Sequence, residues 1–153
     1  MQCRSGGKAD AADLAGVFFR AVRNGPSPYS EAQRAAWVPS RPEATAFERR
    51  IAPLDIFVLE SQGEVSGFMA TDKRGYIDLV FILSEARGRG GFRLLYEATE
   101  LKSRSNGLKR LWTHASLPAQ PAFRAMGFSV IQHETVERAG QLLRRAVMEK
   151  SLT

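Results

Sequence analysis

The sequence predicts a mixed α+β fold, with helices packed on a central sheet. Three observations carry that reading. Apolar residues before Leu54 recur at helical spacing, three strand-like runs follow, and the rest alternates helix, strand, helix and two strands. With 153 residues, 44% apolar and 25% charged, the chain has the size and balance of one compact domain with a hydrophobic core.

The first 50 residues read as helical. From Asp10 to Asn24, the residues Ala11, Leu14, Val17, Phe18, Ala21 and Val22 form one apolar stripe, and Asn24-Gly25-Pro26 stops it. Ser30 with Gln33 forms a capping-box pattern that opens a short helix through Trp37. Ser40 with Glu43 repeats the pattern, Pro42 lies near the first turn, and the helix that follows carries Phe47 and Ile51. Cys3, the only cysteine, reads as a mobile N-terminal thiol and excludes an internal disulfide.

Leu54 to Glu60 is strand-like and ends at the turn Ser61-Gln62-Gly63-Glu64, where Glu60 reads as a solvated carboxylate. Val65 to Thr71 is a second strand, and Asp72-Lys73-Arg74-Gly75 a second turn. Tyr76 to Leu83 is a third, apolar enough to be central, and the three read as an antiparallel meander. After Ser84 to Gly91 comes an amphipathic helix with Leu94, Leu95, Ala98 and Leu101, closed by Asn106-Gly107. Leu108 to His114 is a strand and Pro118 to Met126 a short helix. Phe128 to Glu134 and Leu142 to Lys150 are closing strands joined through Arg138-Ala139-Gly140-Gln141.

Charge and composition narrow the partners. A net charge of +6 favours polyanions: nucleic acid, acidic lipid or a phosphorylated cofactor. Its densest cluster is Arg87, Arg89 and Arg93. No apolar run approaches the roughly 18 residues that span a bilayer. Met1 to Ser5 has no apolar core of a secretory signal, so a cytoplasmic protein without a membrane partner is expected. Two histidines and no ligand spacing argue against a metal.

The segment most suited to chemistry is the Gly-rich basic loop between the third strand and the helix after it. A helix N-terminus offers unpaired N–H groups and about half a positive charge. Glycines let backbone approach a phosphate, and Arg87 and Arg89 can add charge-assisted bonds, so a pyrophosphate suits the loop. Neither Gly-x-x-x-x-Gly-Lys-Ser/Thr nor a Gly-x-Gly-x-x-Gly with its downstream acid is present.

The run from Val80 to Gly90, continuing into a Leu-bearing helix, resembles the acetyl-CoA motif of the GNAT N-acetyltransferase superfamily. That motif is an apolar strand, Gln/Arg-x-x-Gly-x-Gly/Ala, then a helix with an early leucine. Arg87, Gly90 and Leu95 match it, and Phe92 stands where a second small residue is usual. Ala115-Ser116-Leu117-Pro118-Ala119 through Phe123 to Gly127-Phe128 resembles the family's second signature. There Phe123 stands in the place of a tyrosine that acts as general acid toward the departing thiolate. Tyr29 to Gln33, Ala36-Trp37, Thr135 to Arg138, Gly140 and Met148-Glu149-Lys150 are similar to the small bacterial YafP-like branch.

The resemblance implies the acyl-CoA N-acyltransferase fold, a mostly antiparallel sheet of six to seven strands flanked by four to five helices. It implies one domain over 1–153, with 1–53 a helical acceptor-side segment and 54–153 the sheet and acetyl-CoA-binding core. It further implies transfer of an acetyl group from acetyl-CoA to a small-molecule or protein amine by direct attack. Val80, Phe81 and Ile82 would pair with the pantetheine arm and polarise the carbonyl. Arg87, Gly88, Arg89, Gly90, Gly91 and Phe92 would hold the pyrophosphate, with Ser116 and Phe123 on the opposite wall. Tyr29 and Trp37, and with them Phe47, lie on the early helices that flank the acceptor cleft.

Two residues suit proton transfer. Asp78 interrupts an apolar strand, which fits either a general base facing a polar cavity or a carboxylate paired with Arg or Lys. His114 ends the next strand and has an imidazole suited to neutral pH, whereas His133 reads as surface. Two other functions fit parts of the sequence. Phe92 and Phe123 suit a catalytically weak acyl-CoA sensor. Arg87 to Arg93 also reads like one RGG segment of a nucleic-acid-binding module, but such segments come as repeated disordered tracts and this one joins a strand to a helix, which argues against nucleic acid. Late-strand pairing, common in this fold, leaves a homodimer open.

Overall fold

The strand-like runs assemble into one seven-stranded sheet in the computed structural model, which describes residues 1–153. The elements in order are β1 (Gln2–Gly6), α1 (Ala11–Arg23), α2 (Glu31–Trp37), α3 (Ala44–Ile51), β2 (Asp55–Ser61), β3 (Glu64–Thr71), β4 (Tyr76–Ile82), α4 (Gly91–Ser105), β5 (Arg110–Ser116), α5 (Gln120–Ala125), β6 (Ser129–Arg138) and β7 (Gln141–Ser151). The sheet order is β1-β2-β3-β4-β5-β7-β6, and every pair is antiparallel except β4 with β5. No helix is long and apolar enough to cross a membrane.

Three expectations change. The segment Gln2–Gly6 is an edge strand, not the start of a helical region, and Cys3 sits in it, half-buried opposite Leu59. Burial raises the Cys3 thiol pKa. Its sequence lacks alternation because much of its anchoring is ionic: Arg4 bonds Glu60 at 2.6 Å and Asp10 at 2.8 Å. Glu60 is therefore paired rather than solvated. The Ser30/Gln33 capping box forms, with Ser30 Oγ accepting from Gln33 N–H at 3.1 Å. The Ser40/Glu43 box does not: Pro42 disfavours helical backbone at Arg41, and Glu43 itself becomes the N-cap of α3.

Both tight hairpins are two-residue turns with positive φ at each central position, the geometry that matches strand twist. They are Gln62-Gly63 (φ 53° and 79°) and Ala139-Gly140 (φ 47° and 80°). Left-handed backbone costs an alanine roughly 1–2 kcal/mol, a penalty that asparagine lessens. Ala139→Asn is therefore expected to stabilise the chain by about 0.5–1 kcal/mol, seen as a rise of about 1–4 °C in Tm.

The sheet separates two cores. Leu14 and Val17 of α1 and Phe47 and Ile51 of α3 pack on Val58 and Phe68 on one face. Leu95 of α4 and Phe123 of α5 pack on Met69, Ile77 and Leu111 on the other. Within β4 the alternation breaks: Ile77 joins one core, while Leu79 and Phe81 pack on the other. A bulge at Asp78 causes this, because Thr71 pairs with Ile77 and Ala70 already pairs with Leu79.

The same bulge positions the site. β4 and β5 are paired at only two positions, Tyr76 with Trp112 and Ile77 with Thr113. β5 continues to Ser116 on β7, while β4 continues to Ile82 on β3. Beyond Asp78 the two strands diverge, and one edge of β4 is left without a strand partner.

Candidate functional site

The divergence opens a cleft with two connected chambers. The first, about 370 Å³, lies between Val80–Ile82, the N-terminus of α4, and the Ser116–Ala122 segment. The second, about 320 Å³, runs under it to Asp78 and His114. Tyr29, Trp37, Val80, Phe81, Ser116 and Ala119 line both. The sequence-predicted residues thus come together, apart from Arg89.

The α4 end of the first chamber is built from backbone. Gly90 is the N-cap, left-handed at φ 82°, and neither a capping side chain nor a first-turn acid competes for the helix N–H groups. The first intrahelical bond runs from Leu94 N–H to Gly90 C=O at 3.2 Å, so the N–H groups of Gly91, Phe92 and Arg93 have no helical acceptor. Nothing stands within 4 Å of where a Cβ would sit on Gly88 or Gly90, which leaves the loop open to an approaching group. At Gly91 a Cβ would meet the Leu59 side-chain end at 2.7 Å, so any larger residue would have to displace Leu59 for the helix to start this close to β2.

The three arginines of the basic cluster take different places. Arg87 turns inward, donating to Ile82 C=O and to Ala21 C=O at 3.0 Å each. It is drawn there by carbonyls at the C-terminal end of α1 and ties that helix to the end of β4. Arg89 lies over a separate polar groove with Arg20 and Arg41. Arg93 forms an exposed pair with Glu97. The N-terminus of α4 thus presents unpaired N–H groups to the first chamber, and Arg87 lines that chamber beside them.

Phe92 and Phe123, the two departures from the family pattern, meet each other. Their rings pack edge to face with centroids 5.0 Å apart, and Phe128 backs Phe123 at 5.0 Å. Phe123 is fully buried. Phe92 is thus held against α5, where an aromatic partner stabilises it.

In the second chamber, Asp78 is bidentate with Arg50, at 2.6 and 2.9 Å. Both its oxygens are engaged, which matches the paired-carboxylate reading. His114 Nδ1 lies 2.8 Å from the Tyr76 hydroxyl, and Nε2 lies 3.7 Å from Glu134, which itself bonds Arg145 at 2.5 Å. Burial, then Arg145, lower the His114 pKa against the opposing pull of Glu134. The charged imidazolium is thereby disfavoured. Burial, with the Asp78 charge, raises the Tyr76 pKa.

Tyr29 and Trp37 are placed as the sequence suggests, but Tyr29 is also a latch. Its hydroxyl donates to Arg144 C=O at 2.5 Å and accepts from Leu117 N–H at 2.9 Å. Trp37 packs between Tyr29, edge to face at 5.8 Å, and Phe81, tilted at 5.9 Å. Phe47 is core, and His133 is exposed. Sequence reasoning missed Arg50, Tyr76, Arg138 and Arg145. Only Tyr76 had a local signal, as a polar-tipped residue opening the central strand. The others reach the chamber through helix placement and hairpin register.

The fold is shared with known proteins. A model of the acetyltransferase (GNAT) domain family matches residues 26–152. A GCN5-related N-acetyltransferase from Rhodopseudomonas palustris is 27% identical, with a TM-score of 0.90 over 99% of this chain and 95% of that one. A phosphinothricin acetyltransferase from Sinorhizobium meliloti, in complex with acetyl-CoA, is 20% identical, with a TM-score of 0.76 over 99% and 88%. An N-acetyltransferase from Thermoplasma acidophilum, in complex with coenzyme A, is 13% identical, with a TM-score of 0.75 over 98% of each chain. No curated protein matches.

Proposed function

The chain belongs to the acetyltransferase (GNAT) domain family, a family of acyltransferases, and from that premise we propose that it transfers the acetyl group of acetyl-CoA to an amine by direct attack. One observation carries the reading. A chamber ending on the bare N-terminus of α4 joins, through six shared residues, a chamber ending on His114 with the Tyr76 hydroxyl at its Nδ1. The first suits a pyrophosphate and the second a proton acceptor.

The open glycine loop and the unpartnered β4 edge fit the coenzyme. Gly90, Gly91 and Phe92 would bind the pyrophosphate through backbone N–H groups. Val80, Phe81 and Ile82 would offer the free strand edge to the pantetheine amides, with Ser116 opposite. Acetyl-CoA supplies an activated acyl group, and an N–H of the β4 edge polarises its carbonyl.

An amine is mostly protonated at neutral pH, so the chain must accept a proton before attack. His114 is the assigned acceptor. The ammonium proton passes to the Tyr76 oxygen as the Tyr76 proton moves to His114 Nδ1, and the freed lone pair then forms the nitrogen–carbon bond while the carbon–sulfur bond breaks. Asp78, held by Arg50, positions the bulge rather than taking the proton. Phe123 has no proton to give, so the thiolate, of pKa about 8.5 as a free thiol, takes through water the second proton that the attacking nitrogen loses in becoming the amide, while His114 releases the first to solvent. We further assign the chain to the small YafP-like branch on Tyr29 to Gln33 and Ala36-Trp37, as one domain over 1–153 with a cytoplasmic location.

The test is thiol release from acetyl-CoA across a panel of small amines and peptides, with the product identified by mass. Amine-dependent thiol release with one added acetyl group per product is expected. Saturable acetyl-CoA binding with no transfer to any amine would favour a sensor and overturn the enzyme reading.

A further inference from the structure

The second chamber carries a charge arrangement that selects among amines, an inference that rests on the transferase reading. Its lining has four formally charged side chains: Arg50, Asp78, Arg138 and Arg145. Asp78 neutralises Arg50, and Glu134 neutralises Arg145. His114 favours its neutral form. Arg138 forms no ion pair, and its one side-chain bond is to the neighbouring Glu137 C=O at 3.1 Å. The chamber thus retains one positive charge without a carboxylate facing it.

The β6–β7 hairpin presents these groups in rows. Glu134 pairs with Arg145, Val136 with Leu143 and Arg138 with Gln141, all on one face at successive steps of two residues. Glu134 flanks His114, so the hairpin face runs from the proton acceptor, across an apolar step, to the free guanidinium. The outer rows are four residues apart, about 13 Å along the strand, and the reach of the arginine side chain shortens that span. Phe18, Trp37 and Phe81 make the facing wall apolar.

We propose that the acceptor is a primary amine carrying a carboxylate across an apolar body, and that Arg138 receives the carboxylate. Guanidinium and carboxylate match as a fork, and an apolar middle fills the Val136–Leu143 step. Polyamines and aminoglycosides bring several cations into a chamber whose only lining carboxylate is already held. The positive surroundings also disfavour the ammonium form of the bound amine, which helps His114 take its proton.

Three probes with one hydrocarbon length separate the alternatives: ω-aminohexanoate, hexylamine and hexamethylenediamine. kcat/KM for ω-aminohexanoate is expected to exceed that for either of the others by about ten-fold or more, mainly through KM. Arg138→Gln is expected to bring the ratio close to one while leaving the acetyl-CoA titration unchanged, since Arg138 does not line the first chamber. Equal use of the three amines, or a ratio that survives Arg138→Gln, overturns the proposal and leaves the transferase reading standing. Norleucine, with both groups on one carbon, used as well as ω-aminohexanoate would overturn the spacing. A calorimetric titration of ω-acetamidohexanoate into the coenzyme A complex reads the site without turnover. Binding weakened about ten-fold by Arg138→Gln upholds the proposal even if no amine is acetylated, and binding indifferent to the substitution defeats it.

Discussion

His114→Gln is expected to lower kcat by about 10²–10⁴-fold, the usual contribution of a positioned base. Acetyl-CoA binding should persist, because His114 lies in the second chamber only. The pH profile gives a sharper signature. Burial and Arg145 disfavour the imidazolium, so His114 is protonated only below its ordinary value of 6.5. The neutral form is the base, so activity is full above that value and falls as pH drops through the lowered pKa. Glu134 opposes the shift, Tyr76 contacts Nδ1, and the Arg50–Asp78 pair lies in the same chamber. In the variant this acidic limb should disappear along with most of the rate. Tyr76→Phe should keep the imidazole and its limb but lower kcat, because the path to Nδ1 is broken. A His114→Gln enzyme with normal kcat and an unchanged acidic limb would assign the base elsewhere.

Phe123→Ala is expected to cost about 3–5 kcal/mol, as for other fully buried phenylalanines. In a chain of this length that lowers Tm by about 6–20 °C. The loss has a second consequence, because Phe123 supports Phe92 edge to face. Without that partner the Phe92 ring is free to move into the first chamber, so acetyl-CoA affinity should fall along with stability. Phe123→Leu, which keeps most of the volume, should recover much of the stability. Denaturant unfolding and coenzyme titration on the same samples separate the two effects. A normal titration in Phe123→Ala would show that Phe92 holds its place unaided.

Much of this architecture was legible because it is written in local periodicity. The α1 stripe, the meander from Leu54 and the strand–loop–helix around Gly90 are each set by residues close in sequence. The motif resemblance worked for the same reason, since it spans contiguous runs. Long-range pairing was not legible. β1 is a five-residue edge strand anchored through Arg4 to Glu60 and Asp10, and nothing within Gln2–Gly6 announces it. The bulge at Asp78 was visible only as an odd polar residue, although it flips the faces of β4 and opens the cleft. Arg87 reads as an anion ligand from its glycine neighbours, and its bonds to the Ala21 and Ile82 carbonyls depend on helix placement that the local run does not show. Arg138 and Arg145 depend on hairpin register, which local pattern does not fix.

The divergence of β4 from β5 opens the cleft proposed to hold acetyl-CoA. Calorimetric titration of acetyl-CoA into the whole chain at moderate salt tests that assignment directly. Saturable binding of one acetyl-CoA per chain, undiminished by added RNA, is the expected result. No saturable heat with acetyl-CoA, alongside salt-sensitive binding of RNA to the basic surface, would contradict it.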